Sequence, residues 1–140
     1  MAARNTKAQA PRHRLLIVDD EESMRLLLAR HATKALKAEV QLAGTCEQAM
    51  RLARNYAFDA ILLDLMMPGI GGFEVLKAIR AASANAATPI LVVSALEDME
   101  TSERCLAAGA SGFLVKPVEQ HALAIAVKSL LAARARPKPT

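Results

Sequence analysis

Four apolar runs in this chain each end on a side chain capable of chemistry. Leu15-Leu16-Ile17-Val18 runs into Asp19-Asp20, and Ala60-Ile61-Leu62-Leu63 runs into Asp64. Ile90-Leu91-Val92-Val93 ends at Ser94, and Phe113-Leu114-Val115 ends at Lys116. Singly, each has an ordinary structural role: a loop acid or helix cap, a turn former before Pro68-Gly69, a serine bonded to backbone, a solvated lysine. Brought to one edge of one sheet, they share a chemistry. Three crowded carboxylates repel one another, and a divalent cation relieves that repulsion. Oxygen donors with no His or Cys beside them favour magnesium over zinc. A carboxylate next to such an ion can attack phosphorus and give an acyl phosphate. The cation, the Lys116 ammonium and the Ser94 hydroxyl would then spread over the phosphoryl oxygens, where transfer needs stabilisation.

The elements that must hold these side chains follow from the apolar pattern. Short continuous apolar runs mark strands buried on both faces. After the first run a helix begins near Ser23, with Met24, Leu27, Leu28 and Ala35 at helical spacing. Glu39 to Ala43 reads as a weaker strand closed by Gly44. Thr45 with Gln48 is a capping-box pattern opening a second helix, whose inner face is Ala49, Leu52, Ala53 and Tyr56. Ala60–Leu63 is the clearest central strand. Val75, Leu76 and Ile79 mark a third helix beyond the Pro68-Gly69 turn. The strand Ile90–Val93 is followed by the least periodic helix, across roughly Asp98 to Ala108. Gly109 and Gly112 bracket the turn into the fifth strand, and Leu123, Val127, Leu130 and Leu131 line the last helix. Alternating strands and helices imply an α/β fold: a doubly wound, five-stranded parallel sheet, flavodoxin-like, with strand order 2-1-3-4-5. In that order Asp64 lies between Asp20 and Ser94, and Lys116 reaches in along its stem from two strands away. Five units are too few for an eight-stranded barrel.

Length and composition bound the rest. The 140 residues allow one folded domain, expected over 14–133, between a basic tail at 1–13 and a basic tail or linker start at 134–140. Apolar residues make up 53% of the chain, a globular composition. Cys46 and Cys105 lie far apart with no CxxC, which argues against a disulfide framework or zinc module and for a reducing cytoplasm. The richest apolar stretch, 60–70, is broken by Asp64 and Pro68 and falls short of the ~20 residues a membrane span needs. No apolar run of signal-peptide length follows the basic N-terminus. The net charge of +4 belongs to the tails: without the seven cations of 1–14 and 134–140, the remainder carries 11 Lys and Arg against 14 acids. Tails without aromatics lack the stacking groups of a nucleic-acid reader, so no direct nucleic-acid binding is expected.

The segments LLIVDDE (15–21), ILLDLMMPGIGGFEVLKAIR (61–80), PILVVSAL (89–96) and GASGFLVKP (109–117) resemble, in order and near spacing, the receiver domains of two-component response regulators. The resemblance covers about residues 14–133 and is closest in kind to stand-alone chemotaxis regulators. It implies that Asp64 is the phosphoacceptor, served by a sensor histidine kinase or a histidine phosphotransfer protein. It implies magnesium held directly by Asp20, Asp64 and the Met66 backbone carbonyl, with Asp19 acting mainly through water. Ser94 matches the hydroxyl that turns toward the phosphoryl group, and Lys116 the lysine that pairs with it. The Lys116-Pro117 peptide is then cis. Phe113 matches the aromatic that moves between outward and buried states. The face of the fourth helix, fifth strand and fifth helix becomes the output surface for a downstream protein and for a phosphorylation-linked homodimer. Such a domain is a signalling module, not an enzyme in the usual sense. Two variants of this reading are a phosphorylation-independent pseudo-receiver and a receiver cut from a larger multi-domain regulator.

Four positions depart from the family pattern or qualify it. Phe113 replaces the common tyrosine, so it can report by packing but has no hydroxyl to donate. Gly71 stands where a polar turn residue is frequent, which should loosen the loop. Met66 and Leu96, two residues beyond Asp64 and Ser94, are apolar and cannot position an attacking water, so self-dephosphorylation should be slow. Rival chemistries fail on the same residues. A haloacid-dehalogenase-type phosphatase needs an acid where Met66 stands. A serine hydrolase needs GxSxG where the chain reads Val92-Val93-Ser94-Ala95-Leu96. Gly69-Ile70-Gly71-Gly72 lacks both phosphate-loop spacings, so a nucleotide or flavin module is disfavoured.

Overall fold

Side chains alternate across a strand, so a strand apolar at every position must be covered on both faces. A computed structural model shows this arrangement and describes residues 13–67, 71–82, 84–95 and 99–135. The Pro68-Gly69 turn, Leu96 and most of both tails lie outside those residues. In chain order the elements are β1 (Arg14–Val18), α1 (Glu22–Leu36), β2 (Glu39–Ala43), α2 (Cys46–Asn55), β3 (Ala60–Leu63), α3 (Gly72–Ala82), β4 (Ile90–Ser94), α4 (Met99–Ala107), β5 (Gly112–Val115) and α5 (Gln120–Ala135). The five strands pair in parallel in the order β2-β1-β3-β4-β5. The α/β fold with order 2-1-3-4-5 is therefore observed.

The two faces build two cores. Leu16, Val18, Ile61, Leu63, Ile90 and Val92 pack with Ala49 and Ala53 of α2, Val75, Leu76 and Ile79 of α3, and Cys105 of α4. Leu15, Ile17, Leu62, Leu91 and Val93 face the other way, onto Leu28, Ala32 and Leu36 of α1 and Leu123 and Val127 of α5. Cys46 and Cys105 are both buried and unbridged. No helix among the described residues is long and apolar enough to cross a membrane.

Local signals set several boundaries. The Thr45 hydroxyl accepts from the Gln48 N–H at 3.1 Å, and the Gln48 side chain accepts from the Gly44 N–H at 3.0 Å. That reciprocal cap fixes the start of α2. Tyr56 is not on its inner face: α2 ends at Asn55, Tyr56 turns extended, and its ring is 44% exposed. On α1 the fully covered residues are Leu28, Ala32 and Leu36, with Met24, Leu27 and Ala35 only half-buried. The α1 stripe is rotated because α5 covers it from one side. β5 is half-buried along its length, as an edge strand must be.

One buried polar residue ties the loops beneath the sheet. Asn85 is fully buried, and its amide donates to Ala53 O and Tyr56 O, both at 2.7 Å. Its Oδ1 accepts from the Phe58 N–H at 2.7 Å and the Thr88 hydroxyl at 3.0 Å. It thereby pins the α2–β3 connection to the α3–β4 connection and sets where β3 enters the sheet. Arg80 reinforces the same corner, donating to Gly109 O at 2.9 Å and Ala86 O at 3.1 Å. Truncating Asn85 leaves buried groups unpaired, each costing roughly 1–3 kcal/mol. Asn85→Ala is therefore expected to lower unfolding free energy by about 3 kcal/mol or more in urea titration. Asn85→Asp, which cannot donate, should rescue little; a loss below about 1 kcal/mol for the alanine variant would remove the pin.

Candidate functional site

β1 and β3 are neighbours with Val18 opposite Leu63, so the next residues, Asp19 and Asp64, leave the sheet side by side. The backbone holds both in place: Asp19 N–H donates to Ala43 O at 3.1 Å, and Asp64 N–H to Val18 O at 3.0 Å. Both carboxylates are buried, at 1% and 4% exposure, whereas Asp20 is exposed. One oxygen from each of the three lies within 4.8 Å of the others. This is an all-oxygen, anionic donor set suited to a hard divalent cation.

Lys116 comes from the far edge. Its N–H donates to Ser94 O at 2.8 Å, and the following peptide to Pro117 is cis. Its Nζ lies 2.8 Å from Asp19 Oδ2 and 3.4 Å from Asp64 Oδ2. The remaining oxygens meet amides of their own loops: Asp19 Oδ1 accepts from Glu21 N–H at 2.9 Å, and Asp64 Oδ1 from Met66 N–H at 3.0 Å. Each buried acid is thus held by one backbone N–H and by the shared ammonium. Burial pushes the Asp64 carboxyl above its usual range and the Asp19 charge adds to this; the Met66 amide and Lys116 only partly oppose it. Burial pulls the Lys116 ammonium down, but its hydrogen bond to Asp19 and the charges of both acids outweigh this and leave it raised. The lysine stays charged.

Ser94, at the end of β4, is fully buried. Phe113, paired with Val92, is half-buried and packs against the core on the α2–α4 face. The Met66 backbone belongs to the Asp64 loop, while its side chain is 56% exposed. The structure therefore gathers Asp19, Asp20, Asp64 and Lys116 into one cluster. Ser94 adjoins it through the Lys116 backbone, and Phe113 stands further back along β5.

Two supports escape a motif-by-motif reading. Arg25 on α1 donates to Asp19 O at 2.8 Å and steadies the loop that carries both N-terminal acids. Gly72, the first residue of α3, lies so close that an added Cβ would sit 2.4 Å from Leu65 Cα and 2.7 Å from Asp64 O. Only glycine lets α3 start against the Asp64 loop. The Gly71-Gly72 pair was the visible signal, and Gly71 does take a left-handed φ of +96°.

A family model described as "Response regulator receiver domain" matches residues 15–128. The chain belongs to the response regulator receiver domain family. That family is a signalling domain of two-component systems. The chain is 36% identical over 118 residues to the transcriptional regulatory protein CusR of Escherichia coli, covering 84% of this chain and 51% of that protein. It is 36% identical over 114 residues to the sensory/regulatory protein RpfC of Xanthomonas campestris, covering 80% of this chain and 16% of that one. The chain thus spans about half of one relative and a sixth of the other. Among solved structures, the chemotaxis response regulator CheY4 of Vibrio cholerae superposes with a TM-score of 0.80 at 32% identity, covering 86% of this chain and 99% of that one. The receiver domain of the sensor histidine kinase PA1611 of Pseudomonas aeruginosa, solved with magnesium in its active-site cleft, gives 0.80 at 25% identity, covering 87% and 99%.

The raised Asp64 carboxyl makes a stability prediction for the receiver. The folded state holds this proton more tightly than the unfolded chain. Protonation therefore favours folding below the ordinary aspartate range, and that contribution is lost as pH rises through the folded value. At neutral pH with chelator present, the ionised carboxylate is a net burden. Asp64→Asn should melt a few degrees above wild type, and the gap should close on acidification toward the ordinary aspartate range. Calorimetry across pH checks this; a variant that melts lower at neutral pH would overturn the electrostatic account.

Proposed function

We propose that Asp64 accepts a phosphoryl group from the phosphohistidine of a sensor histidine kinase or histidine phosphotransfer protein, and that the acceptor state is read as a change at Ser94 and Phe113. The observation that carries this reading is the bridging of Asp19 and Asp64 by Lys116, with three carboxylate oxygens within 4.8 Å beside it. In the transfer, an Asp64 carboxylate oxygen forms a bond to phosphorus as the imidazole N–P bond breaks. The electron pair of that bond returns to the histidine nitrogen, and the ring, protonated at its other nitrogen, leaves as neutral imidazole. Lys116 is already charged and within reach, so it can follow the new negative charge from carboxylate to phosphoryl oxygen without gaining a proton.

Asp20, Asp64 and the Met66 carbonyl would hold magnesium directly, with Asp19 acting mainly through water. The fit rests on the donor chemistry: oxygen only, net anionic, with the three carboxylates converging. When bound, the ion supplies positive charge against the phosphoryl oxygens. Ser94, buried at the end of the neighbouring strand, would turn its hydroxyl toward the new group, and Phe113 would repack behind it. The output surface would be α4, β5 and α5, where Met99, Leu106 and Ile125 are 75%, 53% and 56% exposed. That surface suits a downstream protein or a second phosphorylated copy. A cytoplasmic setting fits the two unbridged cysteines. The folded unit would run over 14–133, with the basic segments at either end as solvated tails or, at 134–140, the start of a linker to an output module.

Intact mass after incubation with acetyl phosphate and magnesium is expected to show one phosphoryl gain in wild type and none in Asp64→Asn or with chelator. No gain under conditions that label a control receiver would leave a pseudo-receiver acting through its unmodified surface.

The exposed Met66 thioether offers no hydrogen bond to orient water at Asp64. The purified phosphoprotein should therefore decay over minutes or longer, and Met66→Asn should shorten that lifetime at least severalfold. Decay within seconds for wild type would refute the assignment.

A further inference from the structure

The end of the sheet opposite Asp64 carries a second feature that phosphoryl chemistry does not use. Where α1 ends and the last turns of α5 pass, an open cavity of about 430 Å³ lies between the helices. Ala35, Leu36, Leu131 and Ala132 supply its apolar lining, with His13, Lys37 and Lys128 beside them. The volume falls within the range of built ligand sites. Lys37 and Lys128 are exposed, and neither has a carboxylate partner among the described residues. The acids near this end are already engaged: Glu39 pairs with Arg14 at 3.4 Å, and Asp59 accepts the Arg14 N–H at 2.8 Å.

Two further observations give the site a sign. Lys37 holds φ +52° and ψ +45° as the residue that ends α1. Glycine takes this left-handed position without strain, whereas a side chain costs about 1 kcal/mol there. Lysine stands where glycine would cost the backbone less. The sequence also enters and leaves the fold here: Arg4, Lys7 and Arg12 precede His13, and Arg134, Arg136 and Lys138 follow α5's last apolar residues, with no acid in either segment.

We infer that this groove between α1 and α5 docks a short acidic segment of a partner protein, which inserts one or two apolar side chains between Lys37 and Lys128. Charge complementarity selects the class. The chain's own ends are cationic and would be repelled. A lipid surface favours large apolar side chains that protrude, and the large ones here, Leu36 and Leu131, are buried and half-buried. A nucleic acid would want stacking aromatics, which neither the lining nor the flanking segments contain.

The test is an NMR titration of the full chain at physiological salt with an amphipathic peptide of leucine and glutamate, and with the same peptide carrying lysine for glutamate. Amide shifts confined to the end of α1 and the last turns of α5, with the acidic peptide alone, are expected. The double variant Lys37→Glu/Lys128→Glu should weaken binding at least tenfold, and Ala132→Trp should fill the groove and do the same. Lys37→Gly should keep or raise the melting temperature yet bind severalfold more weakly, which separates docking from folding. Acetyl phosphate labelling should be unchanged in all three. No shifts at millimolar peptide, shifts elsewhere, or equal binding by the charge-reversed variant would each overturn the proposal. So would saturable binding to phosphatidylserine vesicles or to duplex DNA by a chain that ignores the peptide.

Discussion

Two acids from adjacent parallel strands, buried within one residue of each other in register, cannot stand without compensation. Lys116 supplies it. Its ammonium reaches Asp19 and Asp64 from the far side of the sheet, and each acid gives its other oxygen to an amide of its own loop. Removing the lysine would leave two buried like charges sharing only backbone dipoles, the arrangement in which breaking a pair is most costly. The compensation is incomplete, since the Asp64 carboxyl remains raised. Burial is the larger cause of that rise, and the charge of Asp19 adds to it.

This constraint reaches back through the fold. Lys116 can meet Asp19 only if β5 lies at one edge and β1 sits three places inward, as the order β2-β1-β3-β4-β5 provides. It also requires every strand to point the same way, so that all chemically active residues emerge at one edge. The loops are then tuned locally. Gly72 lets α3 begin against the Asp64 backbone, and Arg25 holds the Asp19 carbonyl. At the other edge Asn85 fixes how β3 enters. The site is placed by groups that take no part in its chemistry.

Most of this was legible in the residues. Continuous apolar runs identify strands covered on both sides, and the polar residue ending each run identifies the working edge. The Thr45/Gln48 cap was readable because capping is a local interaction. What stayed hidden depended on tertiary contact. Tyr56 has helical spacing from Ala49 and Leu52, but the chain turns extended at that residue and exposes the ring. The α1 stripe includes Ala32 and Leu36 because α5 approaches from one side, and no single-helix pattern encodes that approach. Asn85 lies in an alanine-rich stretch, where nothing local announces its side-chain hydrogen bonds to Ala53, Tyr56, Phe58 and Thr88. The fold was written in periodicity; its fasteners were written in pairs distant along the chain.

The parallel arrangement also separates charge along the strand axis. Acids collect where strands end, and the helices, running back antiparallel, bring their C-terminal carbonyls to the opposite edge. A cation near a helix C-terminus there is worth a few tenths of a kcal/mol to about 1 kcal/mol, so some positive charge at that edge is structural. Lys34, in the last turn of α1, already fills the role. Lys37, the residue that caps α1, stands beside the same carbonyls, in the backbone region where glycine would suit the turn better. Lys128 lies about two turns short of the end of α5, outside the reach of that helix's terminal carbonyls. The dipole thus accounts for a basic edge and for Lys34 and Lys37, but not for Lys128 beside the apolar lining. The acidic segment proposed above would meet Lys128 and the buried and half-buried leucines beside it, which the dipole leaves without a structural part.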